Sequence, residues 1–366
     1  MKSYNPEKLP ISDLNWEEFL PEIGRANRAL ARYDGTVEAM INPRLLLSPL
    51  TTQEAVLSSR IEGTQATLEE VMELEAEGKG KTPETETEKD VQEIVNYRNA
   101  LGEAVEELQN RPISLNVIKE IHSVLLNSVR GQYKRRGEFR KKQNWIGSPS
   151  GSREDATYVP PEPEQVLDLM TNLEKYIHQE EKDELVQLAI IHAQFELIHP
   201  FLDGNGRVGR ILVPLFLYEK EILHEPMFYV SSYLEKNRER YYAHLENISK
   251  NNDWNRWVGF FLEAITEQAN SNREKATAVL DLYEDMKEEV REVTQSQYSI
   301  QALDAIFEYP LFKRSDFIDR TEIPKSSAER ILKRMLDGGI LDTRRQARGR
   351  QPALLEFKSL LKIVNR

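Results

Sequence analysis

Two apolar helices written around one short turn constrain this chain more than anything else in it. Val186 to Ile198 reads VQLAIIHAQFELI, with apolar residues spaced as on a buried helix. Pro200 ends that helix, and Arg207 to Tyr218 resumes helical periodicity. The turn therefore runs straight into a helix N-terminus, where unpaired N–H groups and the positive end of the helix dipole make an anion site.

The residues of the turn suit that site. The run His199-Pro200-Phe201-Leu202-Asp203-Gly204-Asn205-Gly206-Arg207-Val208-Gly209-Arg210 combines a base, a carboxylate, glycines, an amide and two guanidiniums. Gly204 and Gly206 let backbone approach a phosphate closely and tolerate positive φ, and Asn205 between them can donate to a phosphate oxygen. Arg207 and Arg210 are three apart and share one face of the first helical turn, where they can grip phosphate oxygens in forked hydrogen bonds. Asp203 supplies the hard oxygen that Mg²⁺ needs beside phosphates. His199, at the rim, can take a proton from an attacking hydroxyl near neutral pH. The chemistry this predicts is transfer of a phosphate-containing group from a nucleotide to a hydroxyl.

The same twelve residues match the Fic signature HPFx[D/E]GNGRxxR at every fixed position, so the chain resembles the Fic family. The resemblance implies AMP transfer from ATP to a Ser, Thr or Tyr hydroxyl of a target protein, or of the enzyme itself. It makes His199 the general base, Asp203 the Mg²⁺ ligand, Gly204, Asn205, Gly206 and Arg207 the α- and β-phosphate cradle, and Arg210 the holder of the γ-phosphate.

Upstream, Ser58-Ser59-Arg60-Ile61-Glu62-Gly63 fits the [S/T]xxxE[G/N] pattern of the inhibitory helix of some Fic proteins. Thr51 and Glu54 read as a capping box, which starts this helix near Thr52 and stops it at Gly63. Ser58 and Glu62 then share one face. A carboxylate at Glu62 would pair with Arg210 and withdraw it from the γ-phosphate, and by resemblance it would orient a water for removal of AMP. Gly137 to Gly147 and Ala156-Thr157-Tyr158-Val159-Pro160-Pro161 read as two short strands around a Gly/Ser/Pro loop. The resemblance makes this hairpin a flap that aligns a target segment by strand addition and covers the nucleotide. It also places Tyr241 and Tyr242 near the adenine.

Other features carry less chemistry. His122, His178, His192, His224 and His244 lack metal-ligand or base-orienter spacing and read as structural. Gly80-Lys81-Thr82 imitates the end of a P-loop, but Glu75 stands where the first glycine is required. The surrounding MELEAEGKGKTPETETEKD reads as a mobile, helix-poor connector. The absence of cysteine excludes disulfides and thiolate metal sites. A mean hydropathy of −0.59, with no apolar run long enough for a membrane span, points to a soluble cytoplasmic protein.

The net charge of −12 is unevenly spread. Gln301 to Arg366 carries 14 Lys and Arg against 9 Asp and Glu, a balance of +5 that leaves −17 on the rest. Ser299–Glu308, Lys313–Thr321 and Ala328–Asp337 carry helical patterns, the last opened by Pro324 and closed by Gly338-Gly339. Ile340-Leu341, a cationic tip from Arg344 to Arg350, and a return through Ala353–Phe357 complete what reads as a winged helix-turn-helix. Its candidate DNA contacts are Arg344, Arg345 and Arg348.

The expected architecture is mainly α: an N-terminal helical regulatory region (1–105), a Fic core with a β-hairpin flap (106–270), a helical connector (271–296) and a winged-helix domain (297–366). The leading reading is an Mg²⁺-dependent, ATP-using protein adenylyltransferase, restrained by Glu62 and assembled as a homodimer. The alternatives are a Fic enzyme with another donor, such as UTP or a phosphocholine carrier, a kinase, or a DNA-binding regulator that senses nucleotide.

Overall fold

The computed structural model describes residues 2–77, 83, 85–127, 134–147, 150–348 and 352–366, and the chain is mainly helical. The N-terminal part runs α1 (Trp16–Glu38), α2 (Pro43–Leu46), α3 (Ser48–Ile61), α4 (Leu68–Glu77), α5 (Glu86–Leu108) and α6 (Leu115–Leu125). The central part continues with α7 (Pro163–Ile177), α8 (Glu184–Ile198), α9 (Asn205–Glu219), α10 (Ser231–Lys236), α11 (Arg238–Asn251) and α12 (Trp254–Thr294). The C-terminal part follows as α13 (Ser299–Glu308), β1 (Leu311–Lys313), α14 (Arg314–Arg320), α15 (Lys325–Asp337), β2 (Asp342–Arg345), β3 (Leu354–Glu356) and α16 (Lys358–Val364).

α8 is the axis of the core. Apart from Glu184 and Glu196, every residue from Leu185 to Ile198 is buried, as a helix apolar on all sides requires. α7, α9, α11, α12 and α1 pack around it, and the Trp257 indole on α12 donates to the Ala189 carbonyl at 2.7 Å. α12 is one unbroken helix of 41 residues that packs along α1 at its start and against α15 and α16 farther on. The division expected near residue 270 falls inside it.

The expected helix boundaries near Glu62 shift. α3 begins at Ser48, not Thr52, because Pro49 takes the first turn, where its missing N–H costs nothing. Thr51 and Glu54 do not form a capping box. The Glu54 carboxylate is buried and accepts from the Ser231 backbone N–H (3.1 Å) and Oγ (2.6 Å), while Thr51 pairs with the Tyr229 hydroxyl at 2.6 Å. The connector expected to be helix-poor is helical on both sides: MELEAE lies in α4, and Thr85 with Glu88 forms the capping box that opens α5. The P-loop imitation at residues 80–82 lies outside the described residues.

In the C-terminal part the predicted helices appear as α13, α14 and α15, and a three-stranded antiparallel sheet of order β1-β3-β2 backs them. β1 was not expected, since three residues after Pro310 carry no periodic signal. This part is docked on the N-terminal helices. Glu69, Glu73 and Glu77, each four apart on α4, meet Asn365 Nδ2 (2.9 Å), Arg344 Nε (3.3 Å) and Arg345 Nη1 (2.7 Å). Lys275 Nζ on α12 donates to Gln53 on α3 (2.8 Å) and to the Val364 carbonyl on α16 (3.0 Å).

A candidate active site at the start of α9

The turn between α8 and α9 is held by its own polar groups. His199 ends α8 in the left-handed region at φ 49°, and Gly204 precedes α9 at φ 77°. A side chain at Gly204 would crowd Leu125 of the layer behind it. The Asn205 side chain is engaged within the loop. Its buried amide accepts from Phe201 N–H (2.8 Å) and donates to the Phe201 carbonyl (2.9 Å), so it staples the loop.

His199 Nδ1 lies 3.3 Å from the Glu196 carbonyl, which can only accept, so Nδ1 carries the proton and Nε2 is left as the basic nitrogen. Burial depresses its pKa to about 4, which keeps the ring neutral at pH 7. Arg140 fixes the backbone here. Its buried guanidinium donates to the carbonyls of His199 (2.9 Å), Pro161 (2.6 Å) and Ile198 (3.3 Å).

Arg210 is almost fully buried. Its Nε donates to Ser58 Oγ (2.8 Å), and Nη2 donates to the Ser58 carbonyl (3.0 Å) and to Glu62 Oε1 (2.6 Å). Burial acts to raise the Glu62 carboxyl, but the Arg210 guanidinium outweighs it and holds that carboxyl below the usual range. The Glu62 carboxylate also lies against Gly206, where any Cβ would collide with it. Gly63, at φ 104°, turns the chain away immediately afterwards.

Arg207 is nine-tenths buried as well. Its Nη1 donates to Glu93 of α5 (2.9 Å), and its Nη2 lies 3.6 Å from Asp203. Among the described residues no three His, Asp or Glu side chains gather as a metal cluster. The donor set is one accessible carboxylate, Asp203, beside an anion-binding turn, which suits a Mg²⁺ ion that takes its remaining ligands from phosphates and water.

A cavity of about 490 Å³ opens beside these groups. Glu62, His199, Gly206 and Arg210 line one side, and Tyr241 and Tyr242 line another. Tyr241 is buried at 3.0 Å from His192 Nε2, whereas Tyr242 is exposed. Thr157 and Tyr158 of the flap also line the cavity; Ala156 is buried and is not among its lining residues. Among the described residues the flap pairs through one antiparallel bridge, Ile146 with Tyr158. Gly147 has φ 68°, and its carbonyl accepts from Thr157 Oγ1 at 3.0 Å.

His122, read from sequence as merely structural, joins this site from behind. Its Nδ1 accepts from the Gly137 N–H (2.9 Å), so Nε2 carries the proton and donates to the Asp203 carbonyl (3.1 Å). The ring stacks on Phe201 at 3.8 Å. Burial lowers its pKa to about 4, so the ring stays neutral. The loop is therefore braced on α6 and on the base of the flap.

A sequence model of the Fic/DOC family matches residues 112–217, and one of the Fic/DOC family N-terminal region matches 20–106, together more than half of the chain. The chain belongs to the Fic/DOC family. Within that family it is 36% identical over 96 residues to a probable protein adenylyltransferase of Aquifex aeolicus (strain VF5), a match that covers 26% of this chain and 28% of the relative. It is 28% identical over 159 residues to the protein adenylyltransferase Fic of Drosophila grimshawi, covering 43% and 29%. These matches span less than a third of each relative's length. Among solved structures, a Fic family protein from Desulfovibrio desulfuricans G20 superposes with a TM-score of 0.57 at 19% identity, over 96% of this chain and 98% of that one. Fic-1 from C. elegans gives 0.52 at 18% identity, over 71% and 72%. These two likenesses establish the Fic fold.

Two of the three arginines proposed for DNA meet carboxylates of this chain. Arg344 pairs with Glu73 (3.3 Å) and Glu356 (3.6 Å), Arg345 pairs with Glu77 (2.7 Å), and Arg348 is exposed. Gly349 and Arg350 of the cationic tip lie outside the described residues.

Proposed function

We propose that this Fic protein is a Mg²⁺-dependent protein adenylyltransferase that transfers AMP from ATP to a Ser, Thr or Tyr hydroxyl, on a target protein and on itself. The observation that carries the reading is the convergence on one cavity of a neutral His199 with Nε2 unprotonated, the turn at Gly206 and the buried Arg210. In the proposed reaction the target oxygen attacks the α-phosphorus and the bond to the β-phosphate oxygen breaks. Pyrophosphate leaves, and the hydroxyl proton passes to His199 Nε2. Gly204 to Arg207 and Arg210 hold the phosphates, with Asp203 as the carboxylate that would bind Mg²⁺. When bound, the ion supplies charge neutralisation at the phosphates. Tyr241 and Tyr242 face the base, and the Thr157–Tyr158 edge aligns the target.

Glu62 acts as the brake, because a guanidinium already paired with it is not available to a γ-phosphate. The same carboxylate, accessible from the cavity, would orient water for removal of AMP. The four-part division of the chain, with the α13–α16 part as a winged-helix domain, belongs to this proposal, as do a cytoplasmic location and a symmetric homodimer. The DNA-binding regulator reading loses ground because Arg344 and Arg345 already face carboxylates.

The test separates donors. With Glu62→Gly protein and Mg²⁺, label on the α-phosphate of ATP should enter protein and label on the γ-phosphate should not. Entry of the γ-label would make the protein a kinase, and labelling from UTP instead of ATP would reassign the donor.

A further inference from the structure

Arg207 is held by a residue outside the Fic signature. Glu93 lies on α5, 114 positions earlier, and its Oε2 accepts from Arg207 Nη1 at 2.9 Å. Both side chains are more than nine-tenths buried. The other arm of the fork, Nη2, stands 3.6 Å from Asp203, which is beyond hydrogen-bond range, while Nε is enclosed with no partner among the described residues. Arg207 and Asp203, four apart across the start of α9, therefore form only a loose ion pair, and a modest rotation would bring them into direct hydrogen-bond contact. The shorter contact on the opposite side opposes that rotation. One guanidinium thus stands between two carboxylates and is bonded to the one that is not in the cradle.

From this geometry we infer that Glu93 is a positioning residue: it keeps Arg207 out of hydrogen-bond contact with Asp203, which leaves the Asp203 carboxylate open to a divalent cation and Nε turned to no protein group. Without the Glu93 charge, Arg207 would close on Asp203 and compete with the cation for it. The inference rests on the proposed use of Mg²⁺ and ATP at this turn, and it concerns how the N-terminal helices prepare the cradle. Outer partners of this kind ordinarily change metal affinity by about 10–100-fold.

The experiment is calorimetric binding of ATP at a series of Mg²⁺ concentrations, in a Glu62→Gly, His199→Ala reference that binds without turnover. Glu93→Gln keeps the shape and an acceptor for Nη1, and Glu93→Ala removes both; urea unfolding checks that each variant folds. The Mg²⁺ concentration for half-maximal ATP binding should rise about tenfold in Glu93→Gln and further in Glu93→Ala. In an Arg207→Gln background, Glu93→Gln should have no further effect, since Glu93 acts through Arg207. A Mg²⁺ requirement within twofold of the reference in both Glu93 variants overturns the inference, as does an equal shift with and without Arg207. A reference that binds no ATP at any Mg²⁺ concentration instead overturns the adenylyltransferase reading, and this inference with it.

Discussion

Arg210 Nη2 and Glu62 Oε1 stand 2.6 Å apart, joining the second turn of α9 to the residue that ends α3. Ser58, one turn earlier on α3, accepts from the same guanidinium through Oγ and its carbonyl. The three residues form one unit, with the cation held where it is almost fully buried. Ser58→Ala leaves Arg210 Nε without its acceptor and should cost about 1–3 kcal/mol in urea unfolding. Loss of less than a few tenths would show that Ser58 only lies nearby.

His122 serves two backbone groups, Gly137 N–H and the Asp203 carbonyl. His122→Phe preserves the stacking surface toward Phe201 and abolishes both bonds, so it should cost about 1–3 kcal/mol for each group left unpaired. Amide exchange at Gly137 should rise with it. His122→Gln, which keeps a donor and an acceptor, should recover part of both. Equal behaviour of the two variants would contradict the bridge.

Glu196 points an enclosed, unpartnered Oε1 toward Gly209. Burial raises its carboxyl to about 8 from an ordinary 4.5. A raised folded value means that the contribution to stability is present below about 4.5 and is lost as pH climbs from 4.5 through 8. Glu196→Gln cannot ionise, so it should lose less stability between pH 5 and pH 8.5 than the wild type, by more than about 1 kcal/mol. Parallel unfolding curves across that range would refute a half-buried Glu196 held protonated at neutral pH.

The ladder of Glu69, Glu73 and Glu77 on α4 holds the C-terminal part through partly exposed contacts. Each such pair is ordinarily worth about 0.2–1 kcal/mol and weakens with salt. Arg344→Glu with Arg345→Glu should therefore speed hydrogen exchange in α4 and β2 without unfolding α8. The reversed pairs made by adding Glu73→Arg and Glu77→Arg should slow it again. An unchanged α4 would show that apolar packing alone seats the C-terminal part.

The turn from His199 to Arg210 was legible in the sequence because its chemistry is local. Twelve consecutive residues carry base, carboxylate, glycines and guanidiniums, and the helices on either side show their periodicity. Glu62 was legible only through the resemblance of Ser58 to Gly63 to the Fic inhibitory pattern upstream of an intact turn. What was not legible depends on contacts across long stretches of chain. His122 meets Asp203 at a separation of 81, Arg140 meets His199 at 59, and Glu93 meets Arg207 at 114. No local pattern marks those partners. Thr51 and Glu54 show the converse: a capping pattern was present, but burial against Tyr229 and Ser231 claimed both side chains. Likewise a cationic tip was plain in Arg344 and Arg345, while the glutamates that meet them lie on α4.

The most direct measurement of the central claim uses ATP labelled on the α-phosphate, with Mg²⁺, in three forms of the protein: wild type, Glu62→Gly, and Glu62→Gly with His199→Ala. The account predicts at least tenfold more label in protein for Glu62→Gly than for wild type, and return to background when His199 is also removed, since a positioned proton acceptor is ordinarily worth about 10²–10⁴-fold. Equal labelling by wild type and Glu62→Gly would contradict the brake, and labelling that survives His199→Ala would contradict the chemistry.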